Sequence, residues 1–117
     1  MTDLERVNLI IALHALKNAS EWYQKESETK SHMVTGMFAK YRNAKLIELA
    51  NDAKRNGDDL IADYRTITDQ IPQAWYTAPM CERLITLAEN GYGTDVKDLV
   101  RNYKVYVRDS GIDACAA

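Results

Sequence analysis

Leu46, Ala50, Ala53, Gly57, Leu60, Tyr64, Ile67 and Ile71 follow one another in alternating steps of four and three. That spacing puts all eight on one side of an α-helix and makes a heptad seam. The middle of the seam is small: Ala50, Ala53 and Gly57. Small side chains let a second helix approach closely. The pattern predicts a helix over residues 33–71, with one possible break near Gly57. There Gly57 could end a helix and Asp58 could start the next. The seam keeps its phase through Gly57, which favours continuity. It loses phase before Leu46, where Met33, Met37, Phe38 and Tyr41 form a separate apolar cluster.

The rest of the chain reads as helix as well. Only 5 Gly and 2 Pro interrupt 117 residues rich in helix formers. Thr2 and Glu5 have capping-box spacing, so a helix is expected from there to about Lys25. Leu9, Leu13, Leu16 and Tyr23 line one side of it, with Ala12, Ala19 and Trp22 beside them. A face this wide belongs to a central helix of a bundle. "KESETKSH", residues 25–32, has no apolar residue, and its Ser and Thr compete with helix hydrogen bonds. It reads either as a solvated helix segment or as a loop or frayed turn, and the hydroxyls favour the loop.

Pro72 closes the seam, and "IPQAWYTAP" is a turn whose Trp75 and Tyr76 could lock the two halves together or form an exposed partner hot spot. Packing is favoured, since a small core needs its large aromatics. Thr77 caps the next helix, with Pro79 in its first turn. That helix covers residues 78–89 and buries Leu84, Ile85 and Leu87 or Ala88. In "AENGYGTDVKDLV", Gly91 stops one helix and Thr94 caps the next. The last helix, residues 95–108, turns Val96, Leu99, Val100, Tyr103 and Val107 inward. The expected fold is therefore all-α, in one domain of residues 1–117. It is a small helical bundle with one long helix, a C-terminal helical hairpin and a flexible tail over 110–117.

Little in the chain points to chemistry. The Gly91–Gly93 loop follows a helix rather than a strand. Asp95 and Asp98 then repel a phosphate from the helix start, so it is a turn and not a phosphate cradle. His14 and His32 lack partners at metal-ligand spacing. Cys81, in a helical first turn, is the one thiol that could serve as a nucleophile, and a small residue at the core edge is the plainer reading. No enzyme activity, cofactor or metal is expected.

Cys81 and Cys115 form no CxxC pair, which fits a reducing cytoplasm. The start MTDLER lacks the bases of a signal peptide, and "LIIAL" is too short to span a bilayer. A cytoplasmic protein with no membrane partner is expected. The net charge is −2, so no global field draws the chain to nucleic acid or anionic lipid. Its distribution is uneven: residues 1–45 carry +2, residues 46–74 carry −3 and residues 75–117 carry −1.

Lys97, Arg101, Lys104 and Arg108, spaced four, three and four, form a basic stripe on the last helix. Such a stripe could track phosphates, and a solvated helix face is the simpler reading.

Residues 71–104, through Ile71, Pro72, Tyr76, Thr77, Gly91, Thr94, Val96, Lys97 and Tyr103, resemble a helical segment of uncharacterised Gram-positive bacterial proteins. Gly93 stands where that segment has a small alanine, and Val100 departs from it. The resemblance implies a bacterial or phage origin and a helical module appended to a longer helical stretch. It implies no activity.

The expected function is a non-enzymatic protein-interaction or oligomerisation module, such as an inhibitor or adaptor. It would meet a protein partner or another copy through Leu46, Ala50, Ala53, Gly57, Leu60, Tyr64 and Ile67. The alternative is a nucleic-acid accessory protein using the basic stripe.

Overall fold

A computed structural model describes residues 3–93 and 95–110, with side chains as far as Val105. The described residues are helical and contain no strand. α1 spans Asp3–Ser31. Leu9, Ala12, Leu13, Leu16 and Ala19 are all buried along it, in the rhythm of an amphipathic helix. The Thr2 cap lies outside the described residues.

The helix does not stop at Lys25 as expected. Residues 25–31 continue it as a solvated segment. Their hydroxyls bond back to their own helix: Thr29 Oγ1 donates to the Lys25 carbonyl at 2.7 Å and Ser31 Oγ to that of Glu28 at 2.5 Å. Gln24 donates to Glu28 at 3.1 Å, and Lys30 pairs with Glu26 at 3.2 Å. Each pair is one turn apart and supports the helix.

The single helix expected over 33–71 is instead interrupted at both ends. Residues 32–38 form a turn, with Gly36 at φ +121°. α2 (Ala39–Arg42) is one turn long, and Asn43 kinks the chain into α3 (Ala44–Ile61). α3 passes through Gly57 unbroken and ends at Ile61. A 3-10 turn (Ala62–Tyr64) and α4 (Arg65–Thr68) follow.

The buried positions on α3 are Ala50, Ala53, Gly57 and Ile61, while Leu60 is 39% exposed. A straight helix turns in about 3.6 residues, so the buried face returns after eleven residues rather than drifting with a heptad. That selects Ile61 over Leu60. The 3-10 turn then resets the phase, and Thr68 and Ile71 come back inside.

Beyond Pro72 the expected order holds. A 3-10 turn (Gln73–Trp75) leads to α5 (Ala78–Glu89). Thr77 Oγ1 accepts the Met80 N–H at 3.4 Å, and Pro79 sits in the first turn. Gly91, at φ +77°, ends the helix. α6 spans Val96–Ser110. Thr94 lies outside the described residues. The Asp95 carboxylate accepts the Asp98 N–H at 2.8 Å, as a capping side chain does. Gly93 has no room for a side chain: a Cβ there would stand 2.9 Å from the Leu99 Cβ and 3.0 Å from its backbone.

α1 is the central element, with α3 packed along it and α5 also against it, and α6 pairs with α5. The core joins Leu13 and Leu16 of α1 to Ile61, Met80, Leu84, Leu99 and Tyr103. Trp75 closes it, meeting the Tyr103 ring edge-on at 5.2 Å. The molecule measures 54 × 33 × 16 Å, a thickness that admits two helix layers about 8–10 Å apart. No α1 residue after Ser20 is buried. The last turns of α1 and the first half of α3 therefore project from the core as a two-helix arm.

Candidate partner-docking surface

The arm is anchored where Tyr23 lies across Gly57. A Cβ on Gly57 would stand 2.7 Å from Tyr23 Cε1, so the bare backbone is what lets the ring in. The Tyr23 hydroxyl donates to Asp58 Oδ1 at 2.6 Å. Lys54 Nζ is 3.3 Å from the same carboxylate and Arg65 is 3.8 Å away. The Tyr76 ring stacks against Tyr23 at 6.3 Å, and its hydroxyl donates to the Thr68 carbonyl at 2.7 Å.

Burial, then the Asp58 hydrogen bond, pushes the Tyr23 phenol well above its ordinary range. Asp58 moves the other way: the Tyr23 hydrogen bond, with Lys54 and Arg65, holds its carboxyl below the ordinary 3.8. In acid the unfolded chain therefore takes up this proton before the folded one. Asp58 supports the fold above its ordinary value, and that support is lost as pH falls through the folded-state value. Urea midpoints measured between about pH 5 and pH 2 should fall more steeply for the wild type than for Asp58→Asn. Parallel pH profiles would show that the junction contributes nothing through this carboxylate.

Further along the arm, α1 and α3 enclose an open groove of about 270 Å³. Trp22, Leu49 and Ala53 give it an apolar floor, and Lys25, Glu28 and Asp52 line its rim. The Lys25 ammonium sits 4.4 Å above the Trp22 ring. Leu49 is 46% exposed, and Ile47, one turn before Ala50, is exposed too. A second exposed apolar stripe, Leu4, Val7 and Ile11, lies near the other end of α1 on the body of the molecule.

At the tip, Met37 is 91% exposed, Tyr41 82% and Phe38 63%. The turn that carries them is pinned. The Asn43 side chain accepts the Val34 N–H at 2.9 Å and donates to the Val34 carbonyl at 2.7 Å. Asn43 is buried by this clamp.

The residues expected at an interface divide. Ala50, Ala53 and Gly57 are covered by α1 of the same chain, so the small part of the seam makes an internal contact. Leu46, Tyr64 and Ile67 are half-buried, and Leu60 faces out. Trp22 and Leu49, the apolar floor of the groove, were not in the expected set. Their signal in the sequence was position alone, one on each helix of the arm.

The basic stripe is partly engaged. Arg101 pairs with Asp98, and the Lys104 ammonium lies 5.9 Å over Trp75. Lys97 is exposed, and the Arg108 side chain lies outside the described residues.

The thiol of Cys81 is buried, and that burial pushes it up to about 11, so it is no thiolate at neutral pH. His14 and His32 are exposed and far apart in sequence. Among the described residues no group of three or more His, Cys, Asp or Glu could hold a metal ion. Among them, too, no helix is long and apolar enough to cross a membrane. Cys115 is outside the described residues. No family model matches the chain, and neither a curated protein nor a solved structure does.

Proposed function

We propose that the protein is a non-enzymatic helical oligomerisation module that pairs with a second copy of itself through the arm. One observation carries this reading: the groove has half-exposed Leu49 beside partly buried Trp22 in its floor and both signs of charge on its rim. A two-fold interface uses the same patch twice, so it needs acid and base together on that patch. Lys25 of one copy would then face Glu28 or Asp52 of the other. Two such arms side by side make four helices around a shared apolar seam, which gives each arm the core it lacks alone. The reading moves the interface from the small seam residues, which α1 covers, to the outer edge of the same two helices.

Leu49→Asp tests it. A carboxylate in the shared floor should leave the fold intact, since Leu49 is half-exposed, and weaken self-association by roughly thirtyfold or more. Sedimentation velocity reads the shift from dimer to monomer. A variant that associates as tightly as the wild type would rule the groove out as the contact.

A further inference from the structure

We propose that the tip of the arm is a docking element for an anionic lipid bilayer. It uses residues apart from the groove and stands whether or not the arms pair. Met37, Phe38 and Tyr41 are the most exposed large hydrophobic residues of the arm, and they lie within five residues. Met37 and Phe38 are apolar throughout. Tyr41 has an apolar ring and a polar end, the character that favours the boundary between acyl chains and headgroups.

The charge around them has one sign. Between Glu28 and Glu48 there is no acidic residue, while Lys30, Lys40, Arg42 and Lys45 are all present. Lys30 and Lys45 pair with Glu26 and Glu48 at the two edges. Lys40 and Arg42 make no ion pair with a described residue and flank the aromatic tip. Glu28 and Asp52 lie on the groove rim, and Asp58 at the arm's root is too far away to cancel this field. Asp58 lies fifteen residues along from Asn43, about 22 Å by helix rise. That is beyond two screening lengths of about 8 Å at physiological salt.

Shape and rigidity select the occupant. The tip is the turn that joins two helices, with Met37, Phe38 and Tyr41 all exposed there, an arrangement that suits a flat surface. A base-stacking platform is a poor alternative, because Met37, its most exposed member, has neither a ring to stack nor a donor for a base edge. A second copy would have to present an anionic apolar socket, whereas the arm's own groove carries both signs. The Asn43 clamp holds the turn in shape before contact, so docking orders little new backbone. Surface docking of this kind needs no spanning helix.

The test uses the full chain and vesicles of phosphatidylcholine, with or without about 30 mol % phosphatidylserine. Flotation at low salt should recover the protein with the anionic vesicles and not with the neutral ones. Raising salt to about 0.5 M should release it. Phe38→Trp should show a blue shift of emission on anionic vesicles alone. Met37→Ser with Phe38→Ser, and separately Lys40→Glu with Arg42→Glu, should each weaken binding by at least about tenfold. All four positions are exposed, so circular dichroism should be unchanged.

Equal recovery with neutral vesicles, no recovery at low salt, or binding retained in either double variant would overturn the proposal. Binding of a single-stranded oligonucleotide through the same four residues, without vesicle binding, would overturn it too. A strict monomer in solution leaves this proposal standing and sinks only the pairing of arms.

Discussion

Trp75→Ala should lower stability by about 3–5 kcal/mol, the cost of emptying a large aromatic site in a packed interior. Trp75 is 3% exposed and meets Tyr103 edge-on, and Tyr103 in turn touches Met80 and Arg83. These contacts tie the turn after Pro72 to both helices of the C-terminal hairpin. A domain of this size has roughly 5–15 kcal/mol in all, so the variant should be close to unfolded on warming. Thermal melting should fall by roughly 15 °C. Trp22→Ala removes the same side chain from the arm, where it is only partly buried, and should cost less, about 1–2 kcal/mol. Equal losses in the two variants would contradict the division into a packed body and a projecting arm.

Gly57→Ala should destabilise the protein, although helix propensity alone would favour the alanine by about 1 kcal/mol. The new methyl would overlap the Tyr23 ring, at 2.7 Å from Cε1. The ring is not free to swing aside. Its hydroxyl is held on Asp58 at 2.6 Å, and Tyr76 stacks against it. Overpacking of this kind costs about 1–3 kcal/mol, so the net loss should be about 1 kcal/mol. In a Tyr23→Ala background the obstacle is gone, and the same change should become stabilising. Chemical denaturation of the four proteins gives the cycle. If Gly57→Ala has the same sign in both backgrounds, Tyr23 is not what excludes a side chain at position 57.

The C-terminal hairpin was legible because its punctuation is local. Thr77, Pro79 and Gly91 each act within one turn of their own position, and the helix between them is bounded as expected. Val96, Leu99, Val100 and Tyr103 are buried for the same reason: a short amphipathic helix has one apolar side. The stretch 25–31 was not legible, because a serine or threonine hydroxyl can bond its own helix as readily as a turn. Only the geometry shows that Thr29 and Ser31 chose the helix.

The small middle of the seam makes a close helix contact, and the helix it meets is α1 of the same chain. Spacing shows that Ala50, Ala53 and Gly57 share a side. It does not say whether the helix they meet belongs to the same chain. Tyr23, more than thirty residues earlier, settles that, and its pairing with Gly57 leaves no short-range trace. The tip was visible as an apolar cluster around Met37 and Phe38. Its charge was obscured because the five acidic residues before position 29 were averaged with the acid-free stretch that follows.

The proposed function rests on one arm being completed by a second. Sedimentation equilibrium of the wild-type chain, over a concentration series around about 10 μM, tests it most directly. A reversible shift toward twice the chain mass is expected as concentration rises. A single species at the mass of one chain across the whole series would contradict it.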